Sequence, residues 1–175
     1  MLSRDKIDAG LKLKDEANAL VAQKEYKKAC RLYRRVFGCV NGIVARSKED
    51  MAKFVSPNER ATAEEVKEAI QLLTAVYSNL ALCYLKLEDP ERAMEMAHQA
   101  VQRDPENVKA LLRLGIASTM MKKWDQAKTS LLKAHGIEPD NATIKKEIGV
   151  FKEAYSAWDQ EQKAKAKQAF GGKFT

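Results

Sequence analysis

The chain has 175 residues, the length of one domain with a substantial core, and sets 31 lysines and arginines against 24 aspartates and glutamates, a net charge of +7. Four prolines and eight glycines are too few for a turn-rich all-β protein or a long disordered tail, and no apolar run is long enough to span a bilayer. Acids are interspersed among the bases nearly throughout, so the excess favours solubility over nucleic-acid binding.

Ala, Leu, Glu, Lys, Gln and Met dominate, all of them strong helix formers, and the expected class is all-α. The first residues carry Arg4, Asp5, Lys6 and Asp8 and enter an amphipathic helix directly. They show neither the apolar centre of a secretory signal nor the acid-poor character of a transit peptide. Leu13, Ala17 and Leu20 mark the first helix; Tyr26, Ala29, Tyr33 and Val36 mark the second. Helical spacing continues through Phe37, Val40, Ile43, Val44, Met51 and Phe54, with fraying expected near Gly38 and Gly42. A turn follows at 55–60, around Ser56-Pro57. Thr62 with Glu65 reads as a capping box, opening a helix through Val66, Ile70, Leu73, Tyr77 and Leu80 to about Leu87. Helices two and three are therefore expected to be elongated, forming a projecting hairpin with a helical extension at about 38–70.

Three shorter helices follow, carrying Ala93, Ala97 and Ala100, then Leu111, Leu114, Gly115 and Ser118, then Trp124, Ala127, Leu131 and Ala134. After Pro139, a cap at Asp140 or Asn141 opens a last helix. Its stripe is Ile144, Ile148, Phe151, Tyr155 and Trp158, at steps of four and three. Repeats thus occupy 1–141, and 142–175 form a capping helix and a basic tail.

The order within this series comes from self-similarity. Ala93 and Ala127, Pro105 and Pro139, and Ala81 and Gly115 are each 34 residues apart. An earlier copy, displaced by the insertion, pairs Ala17 with Ala29. Small residues at Ala17, Ala81 and Gly115 facing Ala29, Ala93 and Ala127 let two antiparallel helices approach closely. The pattern over residues 10–141 resembles the tetratricopeptide repeat (TPR), a 34-residue helix-turn-helix unit. Asn41 stands where the family has a terminal proline, and Pro90 where it has an aromatic. The resemblance implies a right-handed superhelix of three hairpins plus a C-terminal capping helix.

Catalytic constellations are not in view. His98 and His135 lie within repeat helices with no Ser or Cys partner, and no glycine-rich phosphate loop occurs. Cys30, Cys39 and Cys83 form no paired motif, Cys83 reading as a small buried hydrophobe. No metal cluster and no cofactor are expected, and a reducing, cytoplasmic setting fits. The chain reads as a binder, not an enzyme.

What it binds is suggested by the polar residues on the first helix of each hairpin. Lys14 and Asn18 are four apart on one face, Asn79 lies on the third helix, and Lys109 and Arg113 are four apart on the fifth. Cations supply charge and amides supply directed donors, a combination suited to carboxylates. Helical asparagine loses on propensity and must find other work. These five positions resemble the two-carboxylate clamp of TPR co-chaperones. That likeness implies recognition of the C-terminal peptide of heat-shock protein 90 or 70.

Residues 74–87, Thr-Ala-Val-Tyr-Ser-Asn-Leu-Ala-Leu-Cys-Tyr-Leu-Lys-Leu, are similar to the TPR half of immunophilins, as is the ending at 167–174. Small stand-alone TPR proteins are a second resemblance. Isomerase activity is not implied, since these residues leave no room for that domain. The alternative reading is a TPR scaffold for another peptide or protein surface. From Lys152 to Lys173, Tyr155, Trp158 and Phe170 alternate with lysines, which would suit calmodulin, a second protein or an anionic membrane surface. Capping of the last repeat accounts for the same aromatics.

Overall fold

The computed structural model describes residues 3–47 and 60–171. Within them the chain forms seven helices and no strand: α1 (Ser3–Ala22), α2 (Tyr26–Arg46), α3 (Ala63–Lys86), α4 (Pro90–Arg103), α5 (Val108–Met120), α6 (Trp124–Ile137) and α7 (Ala142–Gly171). Helices α1–α2, α3–α4 and α5–α6 pack as hairpins. The first helices also touch in series, α1 on α3, α3 on α5 and α5 on α7, forming one layer of a superhelical stack with the second helices outside it.

Local chemistry sets the boundaries. Thr62 Oγ1 accepts from Glu65 N at 3.2 Å while Glu65 Oε2 accepts from Thr62 N at 2.8 Å, the expected capping box. Asp89 caps α4 ahead of Pro90 at its first position, and Asn107 caps α5. Asn141, one of the two expected caps, opens α7 by accepting from Thr143 N and Ile144 N. The elongated α2 and α3 are present at 21 and 24 residues, against 13 to 14 for α4 to α6. The helical run expected at Met51 and Phe54, and the turn around Ser56-Pro57, lie outside the described residues.

Inside each hairpin the turn has one form. Lys24, Glu88 and Lys122 all take a left-handed backbone, with φ of 62°, 58° and 57°. In each case the next amide bonds back to the carbonyl five residues earlier, as in Glu25 N to Leu20 O, Asp89 N to Tyr84 O and Lys123 N to Ser118 O. This Schellman closure ordinarily recruits glycine, because a Cβ is strained there. The three turns are equivalent by geometry although their residues share no sequence signal.

Packing follows the small-residue pattern. Ala17, Ala29, Ala81, Ala93 and Ala127 are all fully buried. A Cβ at Gly115 would stand 2.6 Å from Leu131 Cγ, so α5 meets α6 here at a distance only glycine permits. On α2 the buried stripe Ala29, Tyr33, Val36, Val40 and Ile43 advances by four and three residues. Helix α3 is buried on several sides because α1, α2, α4 and α5 all contact it. Burying each Leu or Val there contributes about 1.5–3 kcal/mol.

The last repeat is closed as the stripe on α7 requires. Ile144 is fully buried with Leu111 and Ala134. Trp124 sits among Phe151, Tyr155 and Trp158, with ring centroids 5.6–6.3 Å away. Beyond Trp158 the helix continues as an exposed rod braced by the i,i+4 pairs Asp159–Lys163 and Glu161–Lys165. No helix among the described residues is long and apolar enough to cross a membrane.

Candidate functional site

The first-helix layer brings three of the five expected residues into one hydrogen-bonded chain. Asn79 Nδ2, on α3, donates to Asn18 Oδ1 of α1 at 3.1 Å. Arg113, on α5, donates from Nη1 to Ser78 Oγ at 2.5 Å and reaches Asn79 Oδ1 at 3.5 Å. Three helices contributed by three hairpins are thereby tied at one level. The amides point as they do because each oxygen is engaged by a donor from the neighbouring helix.

Two members of this chain were not among the five. Tyr33, on α2, is 1% exposed and donates its hydroxyl to Asn18 Oδ1 at 2.6 Å. Burial pushes that phenol up to about 12, so it remains a donor throughout the physiological range. Ser78 is buried and accepts from Arg113. In sequence Tyr33 shows only as an apolar-face residue, and Ser78 as a small neighbour of Asn79; their roles depend on the stacking register.

The cations differ in their surroundings. Lys14 is partly covered and pairs with the adjacent, exposed Asp15 at 3.2 Å. Lys109 is exposed one helical turn before Arg113. Among the described residues neither Lys109 nor Arg113 forms an ion pair. Desolvation lowers the guanidinium pKa of the half-buried Arg113. Among the described residues its donors meet the neutral oxygens of Ser78 and Asn79 and no carboxylate, so a charge held partly out of water has no counter-charge there. An incoming carboxylate would supply one, in the planar fork geometry that arginine favours. Among the described residues no cluster of His, Cys, Asp and Glu could hold a metal ion.

Sequence comparison agrees with this architecture. The profile of the tetratricopeptide repeat matches residues 84–146. Over those residues the chain carries the tetratricopeptide repeat. It is 26% identical over 160 residues to tetratricopeptide repeat protein 9C of Xenopus tropicalis, with 90% of each chain covered. The C-terminal TPR-containing domain of a Plasmodium falciparum FK506-binding protein superposes with a TM-score of 0.74 at 22% identity, covering 93% of this chain and 97% of that one. The first TPR of Spaghetti (RPAP3), solved with the heat-shock protein 90 peptide SRMEEVD, superposes at 0.62 with 19% identity, covering 85% and 94%. The chain therefore shares its fold with these two TPR domains.

Proposed function

We propose that the first-helix layer is a carboxylate clamp for the C-terminal tail of a cytosolic heat-shock chaperone, heat-shock protein 90 or 70. The observation that carries this reading is Arg113: half-buried, oriented by Ser78 and Asn79, and without a carboxylate partner among the described residues. A tail ending in aspartate brings two carboxylates at its last residue, one from the side chain and one from the main chain. Arg113 and Lys109, one turn apart, receive the first. Asn18 and Asn79, backed by Lys14, receive the second. The amide donor of Asn79 that now serves Asn18 turns to the ligand, while Tyr33 keeps Asn18 anchored. Charge accelerates encounter and the amides select for a chain terminus. The fold that the domain shares with a TPR solved on such a peptide supports the same reading.

The domain so described is an adaptor without chemistry of its own. Calorimetry with a peptide ending in Glu-Glu-Val-Asp tests it on the parent and the Lys109→Ala/Arg113→Ala variant. Removing the partner of a buried carboxylate should weaken binding by on the order of 2 kcal/mol or more. Unchanged affinity in the double variant would move the epitope elsewhere, as a scaffold for another peptide or protein surface requires.

A further inference from the structure

A second site lies away from the first-helix layer, where α2 passes the end of α3 and the start of α4. A solvent-open pocket of 390 Å³ is lined there by Lys27, Arg31 and Arg34 of α2, by Tyr84 of α3, and by Asp89 and Arg92 at the start of α4. Steps of four and three residues place the three α2 cations on one helical face. The buried Cys30 and half-buried Leu87 complete the lining.

Four cations thus meet one acid, and Asp89 is already engaged by the Arg92 guanidinium at 3.4 Å and by the Arg92 amide that it caps. Among the described residues Lys27, Arg31 and Arg34 form no ion pair. Like charges one turn apart on a helix repel, so this face is held together against its own electrostatics. Tyr84 gathers two of the arginines. Arg34 donates to its hydroxyl at 2.5 Å, and the guanidinium groups of Arg34 and Arg92 lie over its ring, at 6.0 and 5.8 Å. Two helices thereby bring planar forks to one cavity, and the ring attracts their charge without neutralising it.

We propose that this pocket binds a phosphorylated serine or threonine side chain within an acidic peptide segment of a partner protein. A phosphate monoester carries about two negative charges at neutral pH and three strong acceptor oxygens, which several guanidinium groups can share. A lone carboxylate has one charge and would leave most of the excess unmatched; an acidic neighbour of the phosphorylated residue answers what the phosphate does not. Because the cavity opens to solvent, an extended chain can lay one side chain into it and continue past. The lining disfavours two other carriers of phosphate. A nucleotide base needs an open aromatic face on which to stack, and Tyr84 is 4% exposed and overlaid by two guanidinium groups. A lipid headgroup site needs neighbouring apolar side chains that enter the bilayer. Among the described residues the exposed large hydrophobics are Met120, Leu132, Ile137, Val150 and Tyr155, all on α5, α6 or α7 and none at the pocket.

The test is fluorescence anisotropy on the full chain, with a labelled, C-terminally amidated peptide carrying one phosphoserine between glutamates. The same peptide with unmodified serine should bind about tenfold more weakly or worse. Lys27→Glu/Arg31→Glu, at exposed positions, should weaken the phosphopeptide by about tenfold or more, and Arg31→Gln should weaken it less. An equal charge reversal on α7, Lys146→Glu/Lys152→Glu, should leave binding unchanged. So should Lys109→Ala/Arg113→Ala, which separates this site from the carboxylate clamp whether or not that clamp exists. Equal affinity for the phosphorylated and unmodified peptides, or an equal loss from the α7 reversal, would overturn the proposal. Loss of binding in the Lys109→Ala/Arg113→Ala variant would overturn it by moving the peptide to the groove. Tight binding of inositol hexakisphosphate with none of the phosphopeptide would overturn it in favour of a soluble polyphosphate.

Discussion

Replacing Gly115 by alanine tests the hairpin geometry on which everything else rests. In an open helix, glycine to alanine stabilises by about 1 kcal/mol, because alanine has less backbone freedom to lose. At Gly115 the added methyl would stand 2.6 Å from Leu131 Cγ and 2.7 Å from its Cδ2, with the Ala127 carbonyl at an ordinary 3.5 Å. Leu131 is 1% exposed, and its branch carbon cannot swing aside as a free chain end would. Overpacking of this kind costs about 1–3 kcal/mol. The sum runs from near zero to a loss of about 2 kcal/mol. Gly149, within α7, has nothing within 4 Å of the same added atom, so Gly149→Ala should show the full helical gain. Gly10 falls between them, its nearest neighbour being the flexible end of Leu72 at 3.0 Å. Urea unfolding of the three variants should therefore rank Gly149→Ala above Gly10→Ala above Gly115→Ala, the outer two differing by about 1–3 kcal/mol. A Gly115→Ala midpoint raised as far as that of Gly149→Ala would refute the close α5–α6 approach.

Other outcomes follow from the same structure. Ala93→Leu and Ala127→Leu, both at fully buried positions, should each destabilise by roughly 1–3 kcal/mol in urea. Glu88→Gly and Lys122→Gly should raise the unfolding free energy by about 0.5–1 kcal/mol, because each relieves a left-handed residue while giving up backbone restriction in the unfolded chain. Thr62→Ala should cost about 1 kcal/mol and fray the start of α3, seen as faster amide exchange at Val66, since the capping box loses its acceptor. Raising ionic strength should weaken peptide binding measured by calorimetry, because Lys109 is exposed to screening.

The helices and their pairing were legible because their signals are local. Thr62 with Glu65 and Asn141 ahead of Ile144 act over a single turn, and the alanine and glycine pairs repeat at a fixed interval. The five groove residues could be nominated for the same reason, since spacing of four puts Lys14 with Asn18 and Lys109 with Arg113 on one face. What spacing could not give was the wiring. That Tyr33 anchors Asn18 from a second helix, or that Ser78 rather than a carboxylate meets Arg113, depends on the rotation of each hairpin against the next. The left-handed turns at Lys24, Glu88 and Lys122 were equally invisible, because none carries the glycine by which such turns are recognised.

The clamp itself rests on recognition of a chain terminus, and amidation isolates that feature. Calorimetry should compare a peptide ending in Glu-Glu-Val-Asp as the free acid with the same peptide as its C-terminal amide. The amide keeps every side chain and loses one carboxylate. The free acid should bind at least tenfold more tightly, a difference of about 1.4 kcal/mol or more, and that preference should shrink when Asn79, which would donate to the main-chain carboxylate, is replaced by alanine. Equal binding of acid and amide to the parent would contradict the clamp.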